Sequence, residues 1–259
     1  MIQFLARILL RILFRLEVQG TPPSTRPERL LVVPNHQAFT DGLLAQAFLP
    51  IQVTWIVHSQ IVAKWHFRFL LRGIPHLAVD AANPMSMKKV VHLIESGTPV
   101  GIFPEGQRSE EGPMGELRTG VARLAIETGA SIVPVTIGGA FRAWPKWKLL
   151  PKPAKIIVRY HEPLRLDEAD RTVRRDDKEF HQQVMQQLAE RINRSLTPSL
   201  RVHDAYEKWY RQPPSNLRSY EWAPLIALFI TILVAIQRNT LSAAWLGIVL
   251  PPAGYYLYL

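Results

Sequence analysis

A chain of 259 residues has room for one sizeable hydrophobic core with accessory segments, rather than two full domains. It contains no cysteine, which excludes disulfides, thiolate nucleophiles and cysteine-ligated metals. Lys and Arg outnumber Asp and Glu by 31 to 21, and the formal charge of +10 favours polyanionic partners: nucleic acid, anionic lipid headgroups or phosphorylated substrates.

Residues 1–16 are apolar except for Gln3, Arg7, Arg11 and Arg15. The arginines recur every four residues and so fall along one stripe of a helix. No small-residue cleavage site accompanies them, which argues against a secretory signal. Residues 1–20 are therefore expected to form a basic amphipathic helix in a membrane interface, the alternative being a core helix that caps the domain. Gly20 to Pro27 is a linker rich in Pro, Ser and Thr.

Leu30 to Val33 is apolar without alternation, the pattern of a strand buried on both faces. Helix is expected over Asp41 to Leu49, strand over Gln52 to His58 and helix over Ile61 to Arg72. Asn83-Pro84 is a helix start, with Asn as cap and Pro at the first position, and Gly97 is a stop. Strand follows at Val100 to Phe103, helix at Leu117 to Thr128 ending on Gly129, and strands at Ser131 to Ile137 and Lys155 to Tyr160. One long helix is expected from Thr172 to Ser195, its mixed charges forming a solvated face. Alternating strands and helices predict an α/β fold, a central sheet flanked by helices, over residues 21–196.

Beyond Leu196 the composition changes. Residues 197–221 form a polar linker punctuated by Pro198, Pro213 and Pro214. Two apolar blocks follow within residues 222–259, Trp222 to Ile236 and Leu241 to Leu259, separated by Gln237-Arg238-Asn239-Thr240. The first is short for a span of about 20 residues, and Pro251-Pro252 interrupts the second. A hydrophobic helical hairpin in or partly across a membrane is expected, with Tyr255, Tyr256 and Tyr258 near an interface. A soluble helix pair packed on the core is the alternative.

Two clusters carry chemistry. In Asn35-His36-Gln37-Ala38-Phe39-Thr40-Asp41, the imidazole precedes a carboxylate by five residues. On one helix that spacing points the two about 140° apart. They can meet if His36 lies on the loop leaving the strand and Asp41 opens the next helix. The carboxylate then fixes the ring tautomer, and the second ring nitrogen takes a proton from a hydroxyl. A surface histidine beside an ordinary helix cap has the same spacing. The second cluster is Phe103-Pro104-Glu105-Gly106-Gln107-Arg108-Ser109. Gly106 allows close backbone approach, Arg108 can grip a phosphate bidentately, Ser109 can add a donor, and Glu105 can orient Arg108 or a hydroxyl. A strand-ending turn with an exposed ion pair fits the same residues.

Taken together these motifs resemble the glycerophospholipid acyltransferases typified by 1-acylglycerol-3-phosphate acyltransferase. Four blocks of that family occur in order: Asn35-His36 through Asp41; Gly73-Ile74-Pro75-His76-Leu77-Ala78-Val79-Asp80; Phe103 to Ser109, with Gln107 in place of Thr; and Val133-Pro134-Val135-Thr136-Ile137-Gly138. They span roughly Leu30 to Tyr160. The surroundings look most like the acyltransferase part of bacterial proteins that reacylate 2-acylglycerophosphoethanolamine. In the second block Ala81 replaces the family's Arg, a residue implicated in binding the acceptor phosphate. That departure favours an acceptor with a substituted phosphate.

The resemblance implies acyl transfer from acyl-CoA or acyl-carrier protein to the free hydroxyl of a lysophospholipid or lysophosphatidate. His36 would be the base, Asp41 its partner, and Glu105, Gly106, Arg108 and Ser109 the substrate-binding residues. It also implies a membrane-associated enzyme with its catalytic domain on the cytoplasmic side of a bacterial inner membrane. A phospholipid–lysophospholipid transacylase or a non-enzymatic membrane-binding protein would share parts of the pattern.

Residues 141–155 are basic, hold Trp144 and Trp147, and contain no acid. Such a segment suits a lipid headgroup interface, nucleic acid or a solvated loop. The resemblance favours a bilayer and no nucleic acid. The remaining histidines show no ligand spacing, so neither metal nor cofactor is expected.

Overall fold

The computed structural model describes residues 14–23, 27–63, 71, 74–80, 83–110, 112–145, 151 and 153–196. Residues 1–13 of the expected interface helix, the linker 197–221 and the apolar blocks within 222–259 lie outside these.

Seven strands form one sheet: β1 (Glu17–Gln19), β2 (Leu30–Pro34), β3 (Thr54–His58), β4 (His76–Val79), β5 (Val100–Gly101), β6 (Ser131–Gly138) and β7 (Ile157–Tyr160). Their order is β1-β7-β6-β2-β5-β3-β4. Only β6 and β7 pair antiparallel; every other neighbouring pair is parallel. The helices are α1 (Asp41–Ala47), α2 (Ser59–Ala63), α3 (Pro84–Glu95), α4 (Gly120–Thr128), α5 (Ala140–Ala143), α6 (Glu168–Val173) and α7 (Lys178–Ser195).

The pleat of β2 divides the core. Leu30 and Val32 join Leu44, Ala45, Val133, Val135 and Ile137 on one side, under α1 and α5. Leu31 and Val33 join Val90, Ile94, Leu124, Ile132 and Leu188 on the other, under α3, α4 and α7. Both faces are covered, which is why β2 reads as an unbroken apolar run and why β2 and β6 are buried at every position.

Local signals set several boundaries. Asn83 accepts from the Met85 N–H at 2.9 Å and caps α3, with Pro84 in its first turn. Gly129, at φ +70°, closes α4. The expected single helix from Thr172 is two. Asp177 accepts from the N–H groups of Glu179 and Phe180, restarting the chain as α7, and its other oxygen meets Arg174 Nε at 3.0 Å.

Two strands went unpredicted. Glu17–Gln19, expected within the interface helix, is β1; His76–Val79, read only as a motif, is β4. Phe14 and Leu16 are buried in the core beside β1, so the packed domain begins before residue 21. Among the described residues no helix is long and apolar enough to cross a membrane.

Candidate active site

Parallel strands β2, β5 and β3 put the loops that follow them on one edge of the sheet. Clefts outside the carboxyl ends of such strands are where α/β folds bind ligands. The loops after β2 and β5 carry the two clusters.

Asp41 is the first residue of α1 and is fully buried. Its Oδ2 accepts from the backbone N–H groups of Gln37 (2.5 Å) and Ala38 (2.6 Å) and lies 3.0 Å from His36 Nδ1. One carboxylate oxygen thus closes the turn between β2 and α1 and draws the ring onto itself. An imidazole nitrogen facing a carboxylate carries the proton, so Nε2 is the basic nitrogen. Nε2 has no partner among the described residues, and the side chain is 18% exposed. Asp41 Oδ1 is buried and likewise unpartnered among them.

Aromatic rings hold the imidazole from the side. Phe103 stacks on it at a centroid distance of 3.9 Å and an interplanar angle of 17°. Trp55 stacks behind Phe103 at 5.3 Å and 23°. Gly101 makes room for the indole: a Cβ there would stand 2.6 Å from Trp55 Cε3.

The residues flanking His36 extend the scaffold. Asn35 Nδ2 donates to the Ile137 carbonyl at 3.0 Å, and its Oδ1 accepts from the Ile137 N–H at 2.7 Å. A side-chain amide therefore continues the β2–β6 ladder past the end of β2. Gln37 Nε2 donates to the Gly112 carbonyl at 2.6 Å.

Glu105 is 5% exposed, and backbone groups occupy both its oxygens. Oε1 accepts from the His36 N–H at 2.6 Å and Oε2 from the Gly115 N–H at 2.9 Å. Burial pushes the carboxyl up from its ordinary range, against the opposing pull of those two N–H groups. Glu105, one of the expected substrate-binding residues, ties together the loops after β2 and β5. Ser109 is bonded to the backbone in a similar way. Its Oγ donates to the Pro113 carbonyl (2.7 Å) and accepts from the Gly112 N–H (2.8 Å), while its own N–H donates to the His36 carbonyl (2.8 Å). Gly106 takes φ +70°, a left-handed conformation that favours glycine.

Arg108 is half-buried and has no ion pair among the described residues. Burial holds its guanidinium below the usual arginine range, while the Asp41 carboxylate acts in the opposite sense. A partly buried guanidinium close enough to feel the Asp41 carboxylate suits an anionic substrate group. The structure thus gathers His36, Asp41, Glu105, Gly106, Arg108 and Ser109 at one edge, the first two as a hydrogen-bonded pair and Arg108 as a cation with no ion pair among the described residues. Of the second block, Gly73 and Ala81 lie outside the described residues. Among the described residues no cluster of His, Asp and Glu could hold a metal ion.

His161 shows that an unusual environment alone does not mark a site. Burial first, then the charges of Arg159 and Arg191, push it down to about 4. It lies past the far end of antiparallel β7, where Nε2 is 2.7 Å from Thr136 Oγ1.

A family model described as Acyltransferase matches residues 15–138. A 1-acyl-sn-glycerol-3-phosphate acyltransferase of Limnanthes alba is 27% identical over 158 residues, covering 59% of this chain and 56% of the relative. One of Cocos nucifera is 30% identical over 145 residues, covering 54% and 47%. One of Pseudomonas aeruginosa is 24% identical over 152 residues, covering 56% and 58%. The chain spans about half the length of these relatives. The crystal structure of the 1-acyl-sn-glycerophosphate acyltransferase PlsC from Thermotoga maritima superposes with a TM-score of 0.60. It is 20% identical in sequence, covers 74% of this chain and 77% of its own, and shares the fold.

Proposed function

We propose that the chain is an acyltransferase of the family typified by 1-acylglycerol-3-phosphate acyltransferases, and that it transfers a fatty acyl group from an acyl thioester to the free hydroxyl of a lysophosphatidate or lysophospholipid. The observation that carries the proposal is the His36 Nδ1–Asp41 Oδ2 contact of 3.0 Å, beside which Nε2 has no partner among the described residues.

Nε2 takes the proton of the acceptor hydroxyl as its oxygen attacks the thioester carbonyl. Buried Asp41 stabilises the imidazolium that forms. Collapse of the tetrahedral species forms the ester and breaks the C–S bond, and the departing thiolate takes the proton back from His36. Arg108 receives the acceptor phosphate and thereby aligns the hydroxyl with Nε2. Acyl-CoA and acyl-carrier protein both supply the required thioester. The acceptor is drawn from a membrane, to which a basic chain of this charge is attracted.

The test is acyl transfer by the purified full chain, with acyl-CoA and acyl-carrier protein as donors and a panel of lysolipids as acceptors. His36→Ala abolishes transfer while the circular dichroism spectrum and melting temperature stay those of the wild type. Undiminished turnover by folded His36→Ala would refute the mechanism.

A further inference from the structure

Arg118 lies where the loop bearing Arg108 is crossed by residues 112–118. That crossing segment is fastened along its length. Gly112 is bonded to Gln37 and Ser109, Pro113 to Ser109, and Gly115 to Glu105. The last fastening is Arg118 itself, whose N–H donates to the Pro104 carbonyl at 2.9 Å. With its backbone fixed there, the Arg118 side chain runs across Gly106. A Cβ at Gly106 would stand 2.9 Å from Nε, 3.1 Å from Cζ and 3.3 Å from Cδ. Glycine at this position therefore permits the left-handed turn and also seats the guanidinium.

That guanidinium has no hydrogen bond or ion pair among the described residues. Glu105 of the same connection has each oxygen bonded to a backbone N–H and makes no ion pair with Arg118. Arg108, two residues beyond Gly106, is also without an ion pair among the described residues. Two guanidinium groups without an ion pair among the described residues thus share the connection between β5 and α4, at the edge that holds the basic nitrogen of His36. An exposed arginine ordinarily keeps a mobile side chain; here the stem is seated by the turn beneath it.

We propose that Arg118 is a second phosphate-binding residue of this site, gripping together with Arg108 a phosphate of one substrate above Gly106. The assignment rests on the acyl-transfer function proposed above. The phosphate belongs either to the headgroup of the acceptor or to the carrier portion of the donor.

Steady-state kinetics of the full-chain Arg118→Ala and Arg118→Lys variants separate the two. The measurements use a lysophosphatidate or lysophospholipid acceptor and, in parallel, an uncharged monoacylglycerol. Arg118→Ala is expected to raise one KM about tenfold, the loss of one charge-assisted contact, with kcat changed less than about twofold. Arg118→Lys recovers part of that loss through its point charge. A rise confined to the acceptor KM, and absent with the monoacylglycerol, assigns the acceptor phosphate. A rise confined to the donor KM with either acceptor assigns the donor phosphate. Unchanged KM values for both substrates overturn the proposal. So does an equal loss with charged and uncharged acceptors accompanied by a lower melting temperature, which marks a structural role. Failure of the underlying function looks different: the wild-type chain would itself transfer no acyl group.

Discussion

Glu105 decides how tightly the imidazole is placed, because it holds the peptide N–H of His36 itself. Replacing it by Gln keeps the shape but turns one acceptor into a donor. One backbone N–H, of His36 or of Gly115, then faces an NH2 group and is buried without a partner. An unsatisfied buried donor costs about 1–3 kcal/mol. Expressed as lost alignment of the base, that is roughly a tenfold to hundredfold fall in rate. Glu105→Gln is therefore expected to lower kcat by about that factor, with both KM values nearly unchanged. A raised acceptor KM at constant kcat would instead make Glu105 a substrate ligand. At this scale the sequence revealed which residues converge but not how they divide the work. The pairing of His36 with Asp41 was legible as one of two readings of the spacing, open because a loop–helix junction lets residues five apart meet. The backbone-binding roles of Glu105 and Ser109 were not, since a carboxylate or hydroxyl in a glycine turn looks the same whether it faces a ligand or a peptide. Asn35 and Gln37 carried no signal beyond flanking the histidine; their partners are about a hundred and 75 residues away respectively.

Between elements, β5 reaches the site through β3. Gly101 of β5 lies under the Trp55 ring of β3, and that ring supports Phe103 and, through it, His36. A methyl at Gly101 would meet Cε3, Cζ3 and Cδ2 at 2.6–2.8 Å, and an indole 4% exposed has little room to retreat. Overpacking of this kind costs about 1–3 kcal/mol. Gly101→Ala should lower both the melting temperature and kcat, and Trp55→Leu in the same chain should recover part of the melting temperature. A double-mutant cycle with no coupling between the two positions would show that the rings do not transmit the strain. β2 was legible because burial on both faces leaves an unbroken apolar run. β1 and β4 were not, for a common reason: they are the two edges of the sheet, short and only partly buried. Their sequences, Glu17-Val18-Gln19 and His76-Leu77-Ala78-Val79, lack the length and pattern that distinguish a strand from a connection. The α6–α7 break was hidden because Arg174, Asp176 and Asp177 fit the polar face of a longer helix as readily as they fit a cap.

Across the whole molecule, topology fixes where the basic segment joins the site. β6 runs parallel to β2, so Gly138 ends on the edge that carries His36. β7 is antiparallel to β6 with Ile157 opposite Gly138, so the chain also re-enters the sheet from that edge. The acid-free stretch between them therefore leaves and returns on the catalytic side. Trp144 anchors its start: it is buried and meets Phe39, on the His36–Asp41 loop, edge to face at 6.5 Å. Residues 146–150 and 152 lie outside the described set, but both flanks of the stretch belong to the active edge. Lys155 is paired with Glu17 at 2.9 Å, which leaves Lys146, Lys148 and Lys152 as the lysines to test. A lysine at an anionic bilayer surface contributes about 1 kcal/mol, so reversing these three should weaken binding to phosphatidylglycerol-containing vesicles by roughly a hundredfold or more. Wild-type binding should itself weaken as salt shortens the screening length. Because the segment is attached at the catalytic edge, the same triple change to Glu should also slow acylation of a long-chain acceptor held in vesicles. A short-chain acceptor dissolved as monomers should be acylated at the wild-type rate, since its delivery needs no bilayer. Vesicle binding that survives the charge reversal would remove this segment from the membrane contact; equal slowing with both acceptors would place its effect within the catalytic site.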